Sequence, residues 1–417
     1  MTPTDPDDVH TEPPPEIPPL RLRGSMPEVA DTPEALRSIV AAVAAGSGPV
    51  ALDAERASGY RYSSRAYLVQ LRRAGTGTGL IDPIPFDDLR ALDDAIGDAE
   101  WILHAATQDL PCLAEIGLRP RSLFDTEHAG RLLNVPRVGL ASLVETLLGF
   151  SLAKEHSAAD WSTRPLPGSW LEYAALDVEV LLELREAMID RLIESGKLAW
   201  AYEDFDALTR FTGPPVRAEP WRRTSGLHKV RGRRALEIVR RLWLARDEVA
   251  RSRDIAPGRV LPDAVIVAVA CAPPVDGRSL RTVVAMRHRA ARRNLDIWGE
   301  ALDGALATPE HDLPPTTVSM DGPPPARSWP ERDPAAAARL AACRALVTEL
   351  CETYSLPAEN LLTPDLVRRI AWEPPEPLDE RALSQRLRDG GARPWQIGLT
   401  AAGLTEALHT QPADGDS

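Results

Sequence analysis

The stretch Val50-Ala-Leu-Asp53-Ala-Glu55 constrains this chain more than any other. Strand side chains alternate with period two, so Val50 and Leu52 point one way while Asp53 and Glu55 point the other. The apolar neighbours make this a core strand. Two carboxylates on one face of a core strand are costly unless something positive sits between them, and a divalent cation is the obvious candidate. Asp-x-Glu by itself is also compatible with a solvated strand edge, so the rest of the chain has to decide.

Around that strand the periodicity predicts an α/β domain. A helix is expected over about 32–45 (Leu36, Ile39, Val40, Val43), with Asp31 and Thr32 at its N-cap. After Val50–Glu55 come strands at Tyr67–Leu71 and Leu80–Asp82, a helix at Leu89–Ile96 and a strand at Trp101–His104. A helix from Asp109, a strand at Leu123–Asp125 and helices at Thr126–Leu133 and Leu140–Leu148 follow. A meander followed by alternating helices and strands gives a mixed sheet covered by helices. Ser169-x-x-Glu172 reads as a capping box opening one long helix through Leu176, Val180, Leu184 and Met188. On it Tyr173 and Asp177, four apart, share a face.

Beyond the α/β region the composition changes. Arg217–Arg259 holds thirteen Lys/Arg against five acids, a net +8 in a chain whose net charge is −13. Such a segment is a candidate phosphate-binding surface or a solvated helical face. The expected divisions are a disordered acidic tail at 1–24, the α/β domain at 25–212, a helical domain at 220–303, a Pro-rich linker at 304–334 and a second helical domain at 335–412. Ile255-Ala-Pro257…Leu261-Pro-Asp263 and Leu356-Pro357…Leu362-Thr-Pro-Asp365 suggest a divergent duplication of one helical module. The N-terminus has no basic start and apolar core, so it does not read as a secretory signal, and no apolar run is long enough to span a bilayer. Cys112, Cys271, Cys343 and Cys351 are scattered with no Cys-x-x-Cys. They read as small buried hydrophobes in a reducing cytoplasm.

Four acids and a tyrosine carry the chemistry. Asp53 and Glu55 lie on the first long strand, Asp109 begins the helix after the His104 strand, and Tyr173 and Asp177 lie on a late helix. The strands at 50–55 and 101–104 can be neighbours, which would bring these groups to one cleft. Acids so close raise one another's pKa, and divalent cations resolve that. All-oxygen ligands suit Mg²⁺ or Mn²⁺. Two such ions, roughly 4 Å apart, would clamp the attacking and leaving oxygens of a phosphodiester. Tyr173 could then orient or deprotonate the attacking water, with help from the metal because a free phenol titrates near about 10.

Leu52-Asp-Ala-Glu55, His104-Ala-Ala-Thr-Gln-Asp109-Leu and Tyr173-Ala-Ala-Leu-Asp177 resemble the three exonuclease motifs of the DEDD superfamily, in the branch with tyrosine in its third motif. Asp160-Trp161-x-x-Arg164-Pro165-Leu166 resembles ribonuclease D in particular. Residues 220–303 look like an HRDC domain, and 335–412 like a weaker second copy. The resemblance implies a ribonuclease H-like exonuclease domain followed by two small all-α HRDC-type domains. It implies a 3′-to-5′ exoribonuclease that uses two divalent ions, held by Asp53, Glu55, Asp109 and Asp177, with Tyr173 positioning the water. Products would be nucleoside 5′-monophosphates. The expected partner is RNA with a free 3′ end, tRNA precursors among them, with no membrane and no small-molecule cofactor. A cytoplasmic monomer is expected. A 3′-to-5′ DNA exonuclease and a non-catalytic RNA-binding scaffold are the alternatives. Ala159 stands where the family usually has Ser or Thr, which bears on how its loop is supported. Arg164 and Lys154 could contact phosphates or be plain surface charges. Gln70 could reach the cleft or only solvent, and Trp161 reads as a packing anchor.

Overall fold

The computed structural model describes residues 17–153, 156–287, 289–317 and 322–410. Lys154, the first sixteen residues of the expected tail and the last two of the expected second helical domain lie outside them. The strands are β1 (Val29–Ala30), β2 (Ser47–Arg56), β3 (Ala66–Ala74), β4 (Gly77–Ile81), β5 (Glu100–Leu103) and β6 (Ser122–Asp125). They form one sheet in the order β1-β4-β3-β2-β5-β6. β2, β3 and β4 are an antiparallel meander, while β2–β5, β5–β6 and β1–β4 pair in parallel. The two-residue β1 is too short to leave a periodic trace and was not anticipated. The expected adjacency of the 50–55 and 101–104 strands holds, with Val50 opposite Trp101.

Among the described residues eight helices dress the sheet: α1 (Pro33–Ala45), α2 (Arg90–Ile96), α3 (Leu110–Glu115), α4 (Thr126–Leu132), α5 (Leu140–Leu148), α6 (Gly168–Glu179), α7 (Leu181–Glu194) and α8 (Leu198–Thr209). Thr32 caps α1 by accepting from the Ala35 amide. Val50, Leu52 and Ala54 pack with Val43, Leu92 and Leu113 on one face of the sheet. Ala51 packs with Ile102, Phe124, Val178 and Leu181 on the other. Asp53 and Glu55 share the parity of Ala51, so alternation sends their carboxylates toward α6 and α7.

Two expectations about this region are corrected. Ser169 makes no capping box: α6 starts at Gly168 behind Pro167, which leaves Ser169 inside the first turn. The single long helix is two, broken at Val180, whose backbone leaves helical geometry at φ −114°, ψ 0°. Residues 18–23 are also tethered to the domain, though mostly exposed. Leu20 donates its amide to the Ser151 carbonyl, Ser151 donates back to Pro18, and Arg23 pairs with Glu179 and Glu183.

The first helical module has α9 (Arg233–Arg253), α10 (Asp263–Cys271) and α11 (Leu295–Ala307) around its own core of Trp221, Val239, Leu242, Ile266 and Trp298. The second has α12 (Pro334–Tyr354), α13 (Pro364–Trp372), α14 (Glu380–Asp389) and α15 (Pro394–Leu408). The stretch between them does not behave as a free linker. Proline has no N–H, so Pro-rich backbone leaves carbonyls in want of donors. Arg222, Arg233 and Arg234 bond carbonyls of Pro315, Leu313, Pro314, Ala305 and Thr308 on one side. On the other, Arg368 bonds those of Pro323 and Pro324, and Trp329 is fully buried.

Those bonds also revise the basic segment. Of its thirteen basic residues, nine are engaged within the protein: Arg222, Arg231, Arg233, Arg234, Arg240, Arg241, Arg246, Arg251 and Arg259. Arg240 and Arg241, for example, hold the fully buried Glu237. The net charge of +8 therefore overstates what the module offers to phosphates. The cysteines are unpaired; Cys112 and Cys343 are buried as expected, but Cys271 is exposed. Among the described residues no helix is long and apolar enough to cross a membrane.

Candidate active site

Each sequence-derived site residue reaches one cleft of about 400 Å³. β2 contributes Asp53 and Glu55, and α6 brings Asp177. One carboxylate oxygen from each lies within 4.8 Å of the others. Asp109 arrives by a different device. After β5 the chain turns through Ala105 in the left-handed region, φ 57°, where a side chain is disfavoured. Asp125 holds that turn by accepting from the Ala105 and Ala106 amides at 3.1 and 2.9 Å. The same carboxylate caps α4 through the Glu127 and His128 amides. Asp109 then sits at the N-cap of α3 with its carboxyl making no cap bond to that helix; it lines the cleft beside Asp53 instead.

The electrostatics are those of acids that call for a counter-ion. Burial, reinforced by Asp53, Asp177 and Asp109, pushes Glu55 up to about 10. Burial likewise raises Asp53, Asp109 and Asp177, with Asp53 adding to the shift of the last two. The phenol of Tyr173, one helical turn from Asp177, is raised by burial and by the neighbouring carboxylates. Four oxygen donors that cannot all ionise without a positive charge fit a hard divalent cation. Among the described residues lining the cleft, the one guanidinium is that of Arg56, 3.4 Å from Asp109.

Several neighbours resolve questions the sequence left open. Gln70 lies opposite Asp53 across β2–β3, is fully buried, and donates its amide to Asp53 Oδ2 at 2.7 Å. It faces the site and not solvent. Trp161 is fully buried against Trp170 and Tyr173 and is a packing anchor. Arg164 is no free surface charge. It forks onto Asp82 at 2.6 and 2.8 Å and bonds the Tyr67, Trp161 and Thr163 carbonyls. Ala159 forms only backbone bonds in its loop, which is supported by Asp160, Ser162 and Arg61 in sequence. His104 pairs with Thr126 at 2.9 Å and lines the cleft. Arg56 was missed: strict alternation puts it on the apolar face with Ala54, but the register shifts between Glu55 and Arg56, and it lines the cleft.

Comparison with known proteins agrees with this picture. The family described as 3'-5' exonuclease matches residues 27–193, and the one described as HRDC domain matches 235–302. Residues 322–408 match a family described as 3' to 5' exonuclease C-terminal domain, in place of a second HRDC match. The chain is 32% identical over 288 residues to ribonuclease D of Xanthomonas oryzae pv. oryzae, spanning 67% of this chain and 77% of that protein. With ribonuclease D of Shewanella sp. the identity is 29% over 316 residues, 74% and 77% of the two chains. A crystal structure of a protein from Bifidobacterium adolescentis has a TM-score of 0.85 at 39% identity, over 95% of this chain and 100% of that one. Escherichia coli RNase D, described as an exoribonuclease involved in structured RNA processing, has a TM-score of 0.66 at 26% identity, over 93% and 100%.

Proposed function

Because the chain belongs to the ribonuclease D family and is a metal-dependent 3′-to-5′ exoribonuclease, we propose that it trims structured RNA, tRNA precursors among them, at the Asp53–Asp177 cleft. The observation that carries this reading is the convergence of Asp53, Glu55 and Asp177 oxygens within 4.8 Å, with Asp109 lining the same cleft. We assign these four acids to two divalent ions, Mg²⁺ or Mn²⁺. When bound, the ions supply positive charge to the scissile phosphate and acidify a water.

The protein's own groups do the rest. Gln70 holds Asp53 with a neutral donor, which fixes the carboxylate without adding a charge that competes with a cation. Tyr173 lines the cleft one helical turn from Asp177, where its phenol orients the attacking water. Hydrolysis then releases nucleoside 5′-monophosphates. One copy carries all four acids and the tyrosine, which supports action as a monomer. Unpaired cysteines fit a reducing cytoplasm.

The test is a 5′-labelled single-stranded RNA incubated in Mg²⁺, Mn²⁺ or EDTA, beside Asp177→Ala and a matched DNA. The expected result is a ladder shortening from the 3′ end, with metal only, absent in the variant and weaker on DNA. Bound but uncleaved RNA in every metal would overturn the assignment.

A further inference from the structure

We propose that Arg56 holds the phosphate joining the last two nucleotides of the substrate, and that it neutralises Asp109 until a cation does so. The inference rests on the exonuclease reading above. The cleft adjoins a second cavity of about 390 Å³ lined by Ser58, Gly59 and Ala158. Both cavities are in the size range of small-molecule sites. Glu55, Arg56, Gln108 and Ser157 line both, so Arg56 sits on their common wall. If the two spaces take successive nucleotides, the phosphate between them passes that wall.

Arg56 has donors to spare. A guanidinium carries five N–H groups, and charge-assisted bonds to carboxylate run about 2.7–2.9 Å. Its contact with Asp109 is longer, 3.4 Å, and its buried Nε has no partner. Arg164, by contrast, spends its donors on Asp82 and three carbonyls. Among the described residues lining the two cavities, Arg56 is the one Lys or Arg. A polyanion entering a site of four acids needs such a group, and the fork of an arginine suits a phosphate.

The Asp109 contact adds a second consequence. Were Asp109 to hold a cation, Arg56 would lose that partner and its guanidinium would be free for the phosphate. By the same token, Arg56 opposes cation binding at Asp109, because like charges repel. Removing it should therefore weaken RNA binding and tighten metal binding. A merely structural role would weaken both.

The experiment uses full-length wild type, Arg56→Gln and Arg56→Lys, each checked for an unchanged thermal transition. Metal affinity is read by calorimetry of Mn²⁺ into RNA-free protein. RNA affinity is read by anisotropy of a fluorescein-labelled oligoribonucleotide whose last linkage is a phosphorothioate, at saturating Mn²⁺. For Arg56→Gln we expect RNA Kd to rise about tenfold, as for loss of one charge-assisted contact, and Mn²⁺ to bind several-fold tighter. Arg56→Lys should keep the wild-type Mn²⁺ affinity and lose part of the RNA affinity. Unchanged RNA affinity in Arg56→Gln, or Mn²⁺ affinity that is unchanged or weaker, overturns the proposal. Wild type that neither binds nor shortens RNA would instead sink the functional reading, and this one with it.

Discussion

In both helical modules a 21-residue helix ends at a residue of positive φ, Asp254 after α9 and Ser355 after α12. Each then runs through a four-residue helical turn and a buried leucine, Leu261 or Leu362, into a nine-residue helix. Both bring this corner to the catalytic domain, but the chemistry of attachment differs. Asp254 accepts from the Ser63 amide, Tyr62 donates to Asp247, and Arg259 stacks on Tyr60 while bonding Gly59. The Ser355 carbonyl instead accepts from the buried Lys197, which also bonds Leu132. Beside it Trp200 stacks on Trp395 with ring centroids 4.9 Å apart, and Glu203 accepts from the Trp395 amide. The second module shares one continuous core with Phe205, Met188 and Leu192, whereas the first keeps a core of its own. A shared apolar core makes folding of two parts interdependent; polar docking leaves each part to stand alone.

The hardest blow to this contrast is deletion. Removing residues 322–417 should leave the catalytic domain aggregated, because Trp200 and its neighbours lose their cover. Replacing 220–303 by a flexible linker should leave a soluble catalytic domain with a cooperative melt. Equal behaviour of the two deletions, judged by circular dichroism and gel filtration, would abolish the distinction. Next in size, Trp395→Ala should cost about 3–5 kcal/mol, the usual range for a buried aromatic truncation, read by urea unfolding. Tyr62→Phe should cost only about 1 kcal/mol, the worth of a hydrogen bond to a partly screened acid, and should appear as faster amide exchange over 59–67 with the global transition unmoved.

The two units should also respond to pH with opposite sign. Glu55 is raised, so its contribution to metal-free stability is fully present below the unfolded value near about 4.5 and is lost as pH rises toward about 10. Mn²⁺ should restore it and release protons, which calorimetry in two buffers would detect. In the first module burial would raise Glu237, but Arg240, Arg241 and Thr308 outweigh it and leave the carboxyl lowered. Asp254 is lowered likewise, by bonds from Ser63 that overcome its burial. Their contribution is present above the ordinary carboxylate range and lost as pH falls through it. Melts followed separately in the two units should therefore diverge at both ends of the pH scale. Parallel curves would show that the pH dependence comes from elsewhere.

Much of this was legible because it is local. The strand alternation separating Val50 and Leu52 from Asp53 and Glu55, the helical spacing of Tyr173 and Asp177, and the cap at Thr32 all depend on neighbours within a turn or a pleat. The break at Val180 was not legible, since the apolar period runs straight through it. Nor was the fate of the basic segment, because a sequence counts arginines without showing which carbonyls they meet. Arg164 is the same lesson in one residue: an exposed charge by composition, a fully bonded strut in space.

What the sequence by itself determined is the candidate site: four acids and a tyrosine, in an order that resembles a phosphodiester-hydrolysing family. Tertiary structure alone decided how the parts are joined, with one module merged into the catalytic core and the other docked on polar contacts. It also decided that Arg56 enters the cleft. A one-residue shift in strand register reverses which face a side chain serves, and register is a property of the pair of strands, which neither strand's sequence contains alone.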